Sequence, residues 1–249
     1  MKTEYSFAII EKLVILLAGE DMDNRINILD MEIEACSAKE AMKRSMEYLV
    51  SDPVNIVEFV TIDSLMRMDD LPELKEKVGE FDLVLAGNKT ILEAADISDR
   101  KYLQETGKQV FLKMFMRYLH KNHKRVYLLV ESEEEGQSVY NCLQHSYGGM
   151  QIIGLAKVSA QNRADDMLVN AINGGEVDCV ISALSSPLQE EFIVRNRQLL
   201  DIRRWMGVGK SVSFTGDVSL GHGPIAQFFL RHILKRELEK RKRTDSISG

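Results

Sequence analysis

Two stretches of the chain put polar groups where a ligand could meet them. In Asp178–Glu191, DCVISALSSPLQEE, an apolar run ends in Ser185, Ser186 and Pro187, and a helix opens on Gln189 and Glu190. Further on, WMGVGKS (Trp205–Ser211) ends a second apolar run in Gly207-Val208-Gly209. Two successive strand-to-helix units of a parallel sheet are written this way, and ligands of such sheets sit beyond the carboxyl ends of the strands. Thr61, Gly87 and Glu131 also follow apolar runs and should reach the same edge. Helix N-termini there offer unpaired N–H groups and a favourable dipole to an anion such as a diphosphate. Gln189 and Glu190, in the first turn after Pro187, can point into that cleft. Equally, Gln and Glu simply suit a helix start.

Other residues carry weaker signals. Asp63 stands at the neighbouring strand end, where it can act as a base or cap the helix beginning near Ser64. Asp82 precedes its apolar run and belongs at the opposite edge. Asp21-Met22-Asp23 has the form of a metal-holding DxD, but an acidic turn accounts for it as well. The acid run Glu131–Glu135 suits a helix start and would repel a diphosphate if it faced the cleft. His222, between Gly221 and Gly223, reads as a loop histidine. With no CxxC or HExxH and only scattered histidines, neither a metal site nor a cofactor is expected.

These groups need a scaffold to gather them. Period counting places strands at Ile26–Leu29, Glu32–Ala35, Asn55–Val60, Leu83–Ala86, Val126–Val130, Gln151–Gly154, Cys179–Leu184 and Trp205–Val208. Helices are expected over Ala38–Leu49, Ile62–Val78, Asp99–Leu119, Glu133–His145, Ala160–Asn173, Pro187–Leu200 and Pro224–Lys242. Ser37 and Glu40 have capping-box spacing, and Gly174-Gly175 should stop the helix before Asp178. The alternation predicts an α/β fold, a Rossmann-like, mainly parallel sheet with helices on both faces. Residues 1–23 form an N-terminal helical arm in this reading, 24–222 the domain, and 223–249 a basic C-terminal helix and tail.

Composition is that of an ordinary globular chain: 249 residues, 45% hydrophobic and 28% charged. The run Phe7–Gly19 is too short and too charged to span a membrane. Cys36, Cys142 and Cys179 read as reduced thiols, which suits the cytoplasm. The net charge is −6, yet Arg231–Arg243 holds seven Lys and Arg against Glu237 and Glu239. Phe228, Phe229, Ile233, Leu234 and Leu238 make an apolar stripe fit to dock on the core. Lys235, Arg236, Lys240, Arg241, Lys242 and Arg243 are left to meet an anionic membrane surface. An acidic body without interleaved aromatics argues against nucleic acid. Val110, Phe111, Met114, Phe115, Tyr118 and Leu119 form a second stripe, for the core or an oligomer face.

Taken together, these segments resemble the WecG/TagA/CpsF glycosyltransferases, glycosyltransferase family 26. That family's Gly-x-Pro-Lys-Gln-Glu motif corresponds to Ser185-Ser186-Pro187-Leu188-Gln189-Glu190, and its following Val-Gly strand end to Val208-Gly209. Val57–Gly87 resembles the family segment with a Thr-x-Asn strand end, Thr61 matching the threonine and Asp63 standing for the asparagine. The similarity covers roughly Asn24 to Gly216. It implies transfer of N-acetylmannosamine or a related sugar from a UDP-sugar donor to a lipid-linked glycan acceptor, with inversion, in cell-surface polysaccharide assembly. It places the chain peripherally on the inner membrane face. Thr61, Ser186, Gln189, Glu190 and Gly209 become the substrate-binding candidates and Asp63 the catalytic one.

The chain departs from the family at several of these points. Gly87-Asn88 stands where the family has an Asp-Gly pair with its proposed base. Leu188 replaces the motif lysine, Ser185 its leading glycine, Val130-Glu131 a Gly-Gly, and Ser213 an aspartate. The Arg-Ala-Pro element is absent. These losses imply either transfer with altered chemistry or a catalytically inactive relative that binds a nucleotide-sugar, glycan lipid or partner enzyme.

Overall fold

The computed structural model describes residues 25–47, 54–161, 164–210, 232–240 and 243. Six strands form one all-parallel sheet: β3 (Asn55–Val60), β4 (Leu83–Ala86), β5 (Arg125–Val130), β6 (Gln151–Lys157), β7 (Cys179–Ser182) and β8 (Arg204–Gly207), in the order β4-β3-β8-β7-β5-β6. The strand residues are buried almost without a break from β3 to β8, apart from the edge strand β6, as expected of a sheet covered on both faces. The α/β architecture is therefore the one the alternation of patterns requires.

Nine helices among the described residues join these strands: α1 (Ala38–Glu47), α2 (Ile62–Asp69), α3 (Pro72–Gly79), α4 (Lys89–Ala94), α5 (Arg100–Gly107), α6 (Val110–Lys121), α7 (Glu133–Tyr147), α8 (Asp165–Gly174) and α9 (Leu188–Asn196). Side-chain parity along the strands sorts them into two layers. One face packs Ile56, Val60, Leu129, Val180 and Trp205 against α2, α3, α8 and α9. The other packs Val57, Phe59, Leu128, Ile181 and Met206 against α1, α6 and α7. Trp205 and Phe192 stack at 5.7 Å on the first face. On the second, the buried Arg204 lies over the rings of Phe115 and Tyr118, and its Nε donates to Ser45 O at 3.3 Å.

Several local expectations needed correction. The first two strands, β1 (Arg25–Ile28) and β2 (Met31–Glu34), do not join the sheet but form a separate antiparallel hairpin. Its turn puts Leu29 and Asp30 at positive φ. The expected helix over Ile62–Val78 breaks at Pro72, which has no N–H for an interior bond. That over Asp99–Leu119 breaks at Gln109, which is left-handed at φ 52. Helix α4 had no periodic signal; it is six residues long and starts on the cap Asn88. Gly174 ends α8, but Glu176, at φ 48, takes the left-handed position expected of a glycine.

The arm over residues 1–23, the acid triplet Asp21-Met22-Asp23, Ser213, His222, Phe228 and Phe229 lie outside the described residues. So do Arg241 and Lys242. Residues 232–240 are helical, and Leu234 is fully buried in the first-face core with Leu238 packed against it. Of the stripe, Leu234 and Leu238 therefore meet the body, while Ile233 is exposed. No helix among the described residues is long and apolar enough to cross a membrane.

Phe115 is fully buried where α6 meets the sheet. Phe115→Ala should cost about 3–5 kcal/mol in denaturant unfolding; a loss below about 1 kcal/mol would contradict the packing described.

Candidate functional site

The crevice follows from the winding. After β5 the chain moves outward to β6 with α7 on the second face, while after β7 it moves inward to β8 with α9 on the first. The connections diverge between β5 and β7, which is the switch point at which sheets of this kind take ligands. Glu131 after β5, Ser185 after β7 and Lys210 after β8 surround this point. Asp82 and Asp178 cap the opposite edge instead, accepting the N–H groups of Ile56 and Arg125 at 2.8 and 2.9 Å.

Glu131 fills the crevice. Its Oε1 accepts from Ser185 N at 2.7 Å and Ser185 Oγ at 2.5 Å, and its Oε2 lies 3.3 Å from Lys210 Nζ. Lys210 also donates to Glu135, whose carboxylate accepts the N–H of Glu131 at 3.1 Å. Burial works to raise the pKa of Glu131. The Ser185 hydroxyl and N–H and the Lys210 ammonium outweigh it and hold the carboxyl below the usual range. A charged side chain thus occupies the donors that an incoming anion would use. The acid run contributes Glu131 and, behind it on Lys210, Glu135, while Glu133 and Glu134 are exposed in the first turn of α7, which Ser132 caps.

Beneath the edge, on the first face, lies a second polar group. Glu58 on β3, Gly207 on β8 and Ser182 on β7 are in register across three adjacent strands. A Cβ at Gly207 would fall on the Glu58 carboxyl and within 2.8 Å of Gln189 Nε2, so glycine is what lets that carboxyl cross toward α9. Gln189 Nε2 donates to Glu58 Oε1, and Gln189 Oε1 accepts the N–H of Gly209 at 3.3 Å. Gln189 and Glu190 are only 2% and 1% exposed. They lie behind the crevice wall and do not point into open cleft. Burial, with the Glu190 charge added, raises the pKa of Glu58 well above the carboxylate range. Burial also lifts Glu190 to about 7. Trp205 lies close enough to Glu58, and Ser186 to Glu190, to ease their carboxyls. Even so, Glu58 Oε2, Glu190 Oε2, Ser182 Oγ, Ser186 Oγ and Trp205 Nε1 make no hydrogen bond of good geometry among the described residues.

At the end of β3, Thr61 caps α2 and shares a capping box with Ser64, whose N–H reaches Thr61 Oγ1 at 3.2 Å. Asp63 lies in the first turn, about half exposed, with Oδ2 2.9 Å from Arg67 Nε. It does not cap the helix. At the end of β4, Gly87 donates to Val60 O at 2.7 Å. An added Cβ there would stand 3.0 Å from both Thr61 Cγ2 and Val60 O. A side chain there would need Thr61 or the Val60 carbonyl to give by a few tenths of an ångström. Beside it, on the second face, a cavity of about 40 Å³ is lined by Phe59, Leu85, Tyr102, Thr106 and Gln109 among others. No group of three or more His, Cys, Asp or Glu among the described residues could hold a metal ion.

Thr61, Gln189 and Gly209 therefore belong to adjoining strand ends, β3, β7 and β8, with Ser186 between Ser185 and the first turn of α9. Of the residues that sequence reasoning passed over, Glu58 and Lys210 matter most. Glu58 was legible only as a lone acid inside the apolar run IVEFV, and Lys210 only as the cation after Gly209.

A doubly wound sheet with polar strand ends meeting at its switch point is the architecture of a protein that binds small ligands along that edge. The model of the WecG/TagA/CpsF glycosyl transferase family matches residues 26–219, and the chain belongs to that family. No curated protein matches it.

Two measurements probe the buried layer. Gly207→Ala should lose about 1–3 kcal/mol of stability through overpacking against Glu58. In a Glu58→Ala background the same change should cost far less, a coupling read by a double-mutant cycle. Glu190, raised from 4.5 to about 7, gives a pH dependence. Across that window the folded chain holds a proton that the unfolded chain has released, so stability falls as pH rises from about 4.5 to 7. Thermal unfolding should show this decline in the wild type and a shallower one in Glu190→Gln.

Proposed function

We propose that the chain works in cell-surface polysaccharide assembly by binding a UDP-sugar of the N-acetylmannosamine type at this edge without transferring the sugar. The observation that carries this reading is the end of β4. Gly87 stands at the position of the family's base and carries no carboxylate, and a Cβ added there would press on Thr61 and Val60. Asp63, the exposed acid after the neighbouring strand β3, is engaged by Arg67. Transfer needs a base for the acceptor hydroxyl and donors for the departing diphosphate, and the first of these has gone.

In this reading Thr61, Ser186 and the Gly209 turn meet the ligand, Gly209 at φ 62 allowing close approach to its backbone. Gln189 and Glu190 support the wall. Lys210 is the cation for the diphosphate once Glu131 has moved aside. Exposed Arg236 and Arg243, with Arg241 and Lys242 of the same basic run and Lys240, which Glu237 holds, would meet an anionic membrane at about 1 kcal/mol per charge. Lys235 is held by Asp96 at 3.2 Å. A lipid-linked glycan would be met at that membrane, on the cytoplasmic side.

A second reading keeps turnover. Asp63 is about half exposed at the strand end beside Gly87. Released from Arg67, it could take the proton of an acceptor hydroxyl as that oxygen attacks the anomeric carbon and UDP departs. A transfer and hydrolysis assay with UDP-N-acetylmannosamine and a short lipid-linked acceptor separates the two. Binding by calorimetry with no product supports the first; product formation that Asp63→Asn abolishes supports the second. No uptake of any UDP-sugar would remove both.

Glu131 yields a further expectation. Its charge-assisted bonds are each worth about 1.5–3 kcal/mol, and a diphosphate must displace them. Glu131→Ala should therefore bind UDP about tenfold to a hundredfold more tightly by calorimetry; unchanged affinity would mean the diphosphate sits elsewhere.

A further inference from the structure

We propose that Glu58 is a positioning residue for the strand-end site: it fixes the orientation of the Gln189 amide, and through that amide the Gly209 turn that carries Lys210. The UDP-binding part of its test rests on the reading above; the rest does not. A side-chain amide has two unlike ends. Here one end meets a carboxyl oxygen, which accepts, and the other meets a backbone N–H, which donates. Only with Nε2 toward Glu58 and Oε1 toward Gly209 are both bonds made.

Glu58 holds that choice because it cannot move. Its residue is fully buried, its carboxyl crosses over Gly207, and the lateral register of β3, β8 and β7 fixes the crossing point. Oε1 of Glu58 accepts from Gln189 when the group is charged and equally when it is neutral with its proton on Oε2. From Gly209 the chain continues to Lys210, whose ammonium meets Glu131 and Glu135. Glu58 on β3 is thus linked through α9 and the β8 turn to the cation at the crevice, without itself reaching a ligand.

The test compares three variants of the full chain. Glu58→Met keeps the length and removes the acceptor. Glu58→Asp keeps the carboxyl but withdraws it by one methylene, and Glu58→Gln keeps an acceptor oxygen in place. The readouts are hydrogen exchange of the Gly209 amide, exchange of the Leu128 amide in the middle of the sheet, and UDP affinity. In Glu58→Met and Glu58→Asp, Gly209 should exchange about tenfold or more faster relative to Leu128. UDP should bind correspondingly more weakly, and Glu58→Gln should restore both. Equal acceleration at Gly209 and Leu128 would indicate a general loss of packing and overturn the proposal. So would unchanged exchange at Gly209 in Glu58→Asp, which decides the matter even if Glu58→Met does not fold. Should the wild type take up no UDP, the functional reading falls, while the Gly209 exchange still judges Glu58.

Discussion

Two carboxyl groups, Glu58 and Glu190, are removed from water between the sheet and the first turn of α9, and the strand-end architecture is organised around that cost. An isolated buried carboxylate is expensive enough that the group keeps its proton instead, and both are shifted upward accordingly. A neutral or half-neutral pair still needs partners. Gln189 supplies a donor to one of them, and Gly207 supplies the space for that bond by having no side chain. The Gln and Glu that open α9 are therefore part of the wall between helix and sheet. Whatever they do for a ligand passes through the backbone they hold.

The outer layer follows an opposite rule. Glu131 is kept charged, because a backbone N–H, a hydroxyl and an ammonium converge on it. These are the same groups that would receive a phosphate at a switch point, arranged for an anion and occupied by one from the chain itself. Such a site is stable at rest, and it sets a threshold for any ligand, which must replace bonds already made. The two layers also communicate, since Gly209 belongs to the inner one and Lys210 to the outer.

The sheet was legible because parallel strands buried on both faces leave long apolar runs, and the helices between them keep their period. Edges of elements were less so. Pro72 and the left-handed Gln109 divide helices whose apolar spacing runs on, and α4 is too short to carry a period of its own. The hairpin at the start was read as two strands but not as a separate sheet, because nothing local distinguishes an antiparallel pair from the first strands of a parallel one. In the site, Ser185, Ser186 and Gly209 were readable from where apolar runs stop. The burial of Gln189 and Glu190 was not, since exposure in a first turn depends on what lies opposite. Glu58 and Gly207 are far apart in sequence, and only their register reveals that one requires the other.

The exchange of charges along the edge has a direction. Compared with the family pattern, an acid is missing at the end of β4, where an acceptor hydroxyl would lose its proton, and one is present at the end of β5, where a diphosphate would sit. Two like charges about 4 Å apart repel by about 4 kcal/mol at the effective dielectric of a protein surface, comparable to the gain from the bonds a diphosphate makes there. In the proposed reading, loss of the base would slow transfer and Glu131 would weaken ground-state binding, so the two changes would not compensate each other. Together, in that reading, they make the edge a conditional one, open to an anion only when Lys210 and Glu131 part. The Gly209 backbone is tethered to a carboxyl locked inside the sheet, so in that reading the parting is a matter of the two side chains, Lys210 and Glu131, exchanging each other for the ligand.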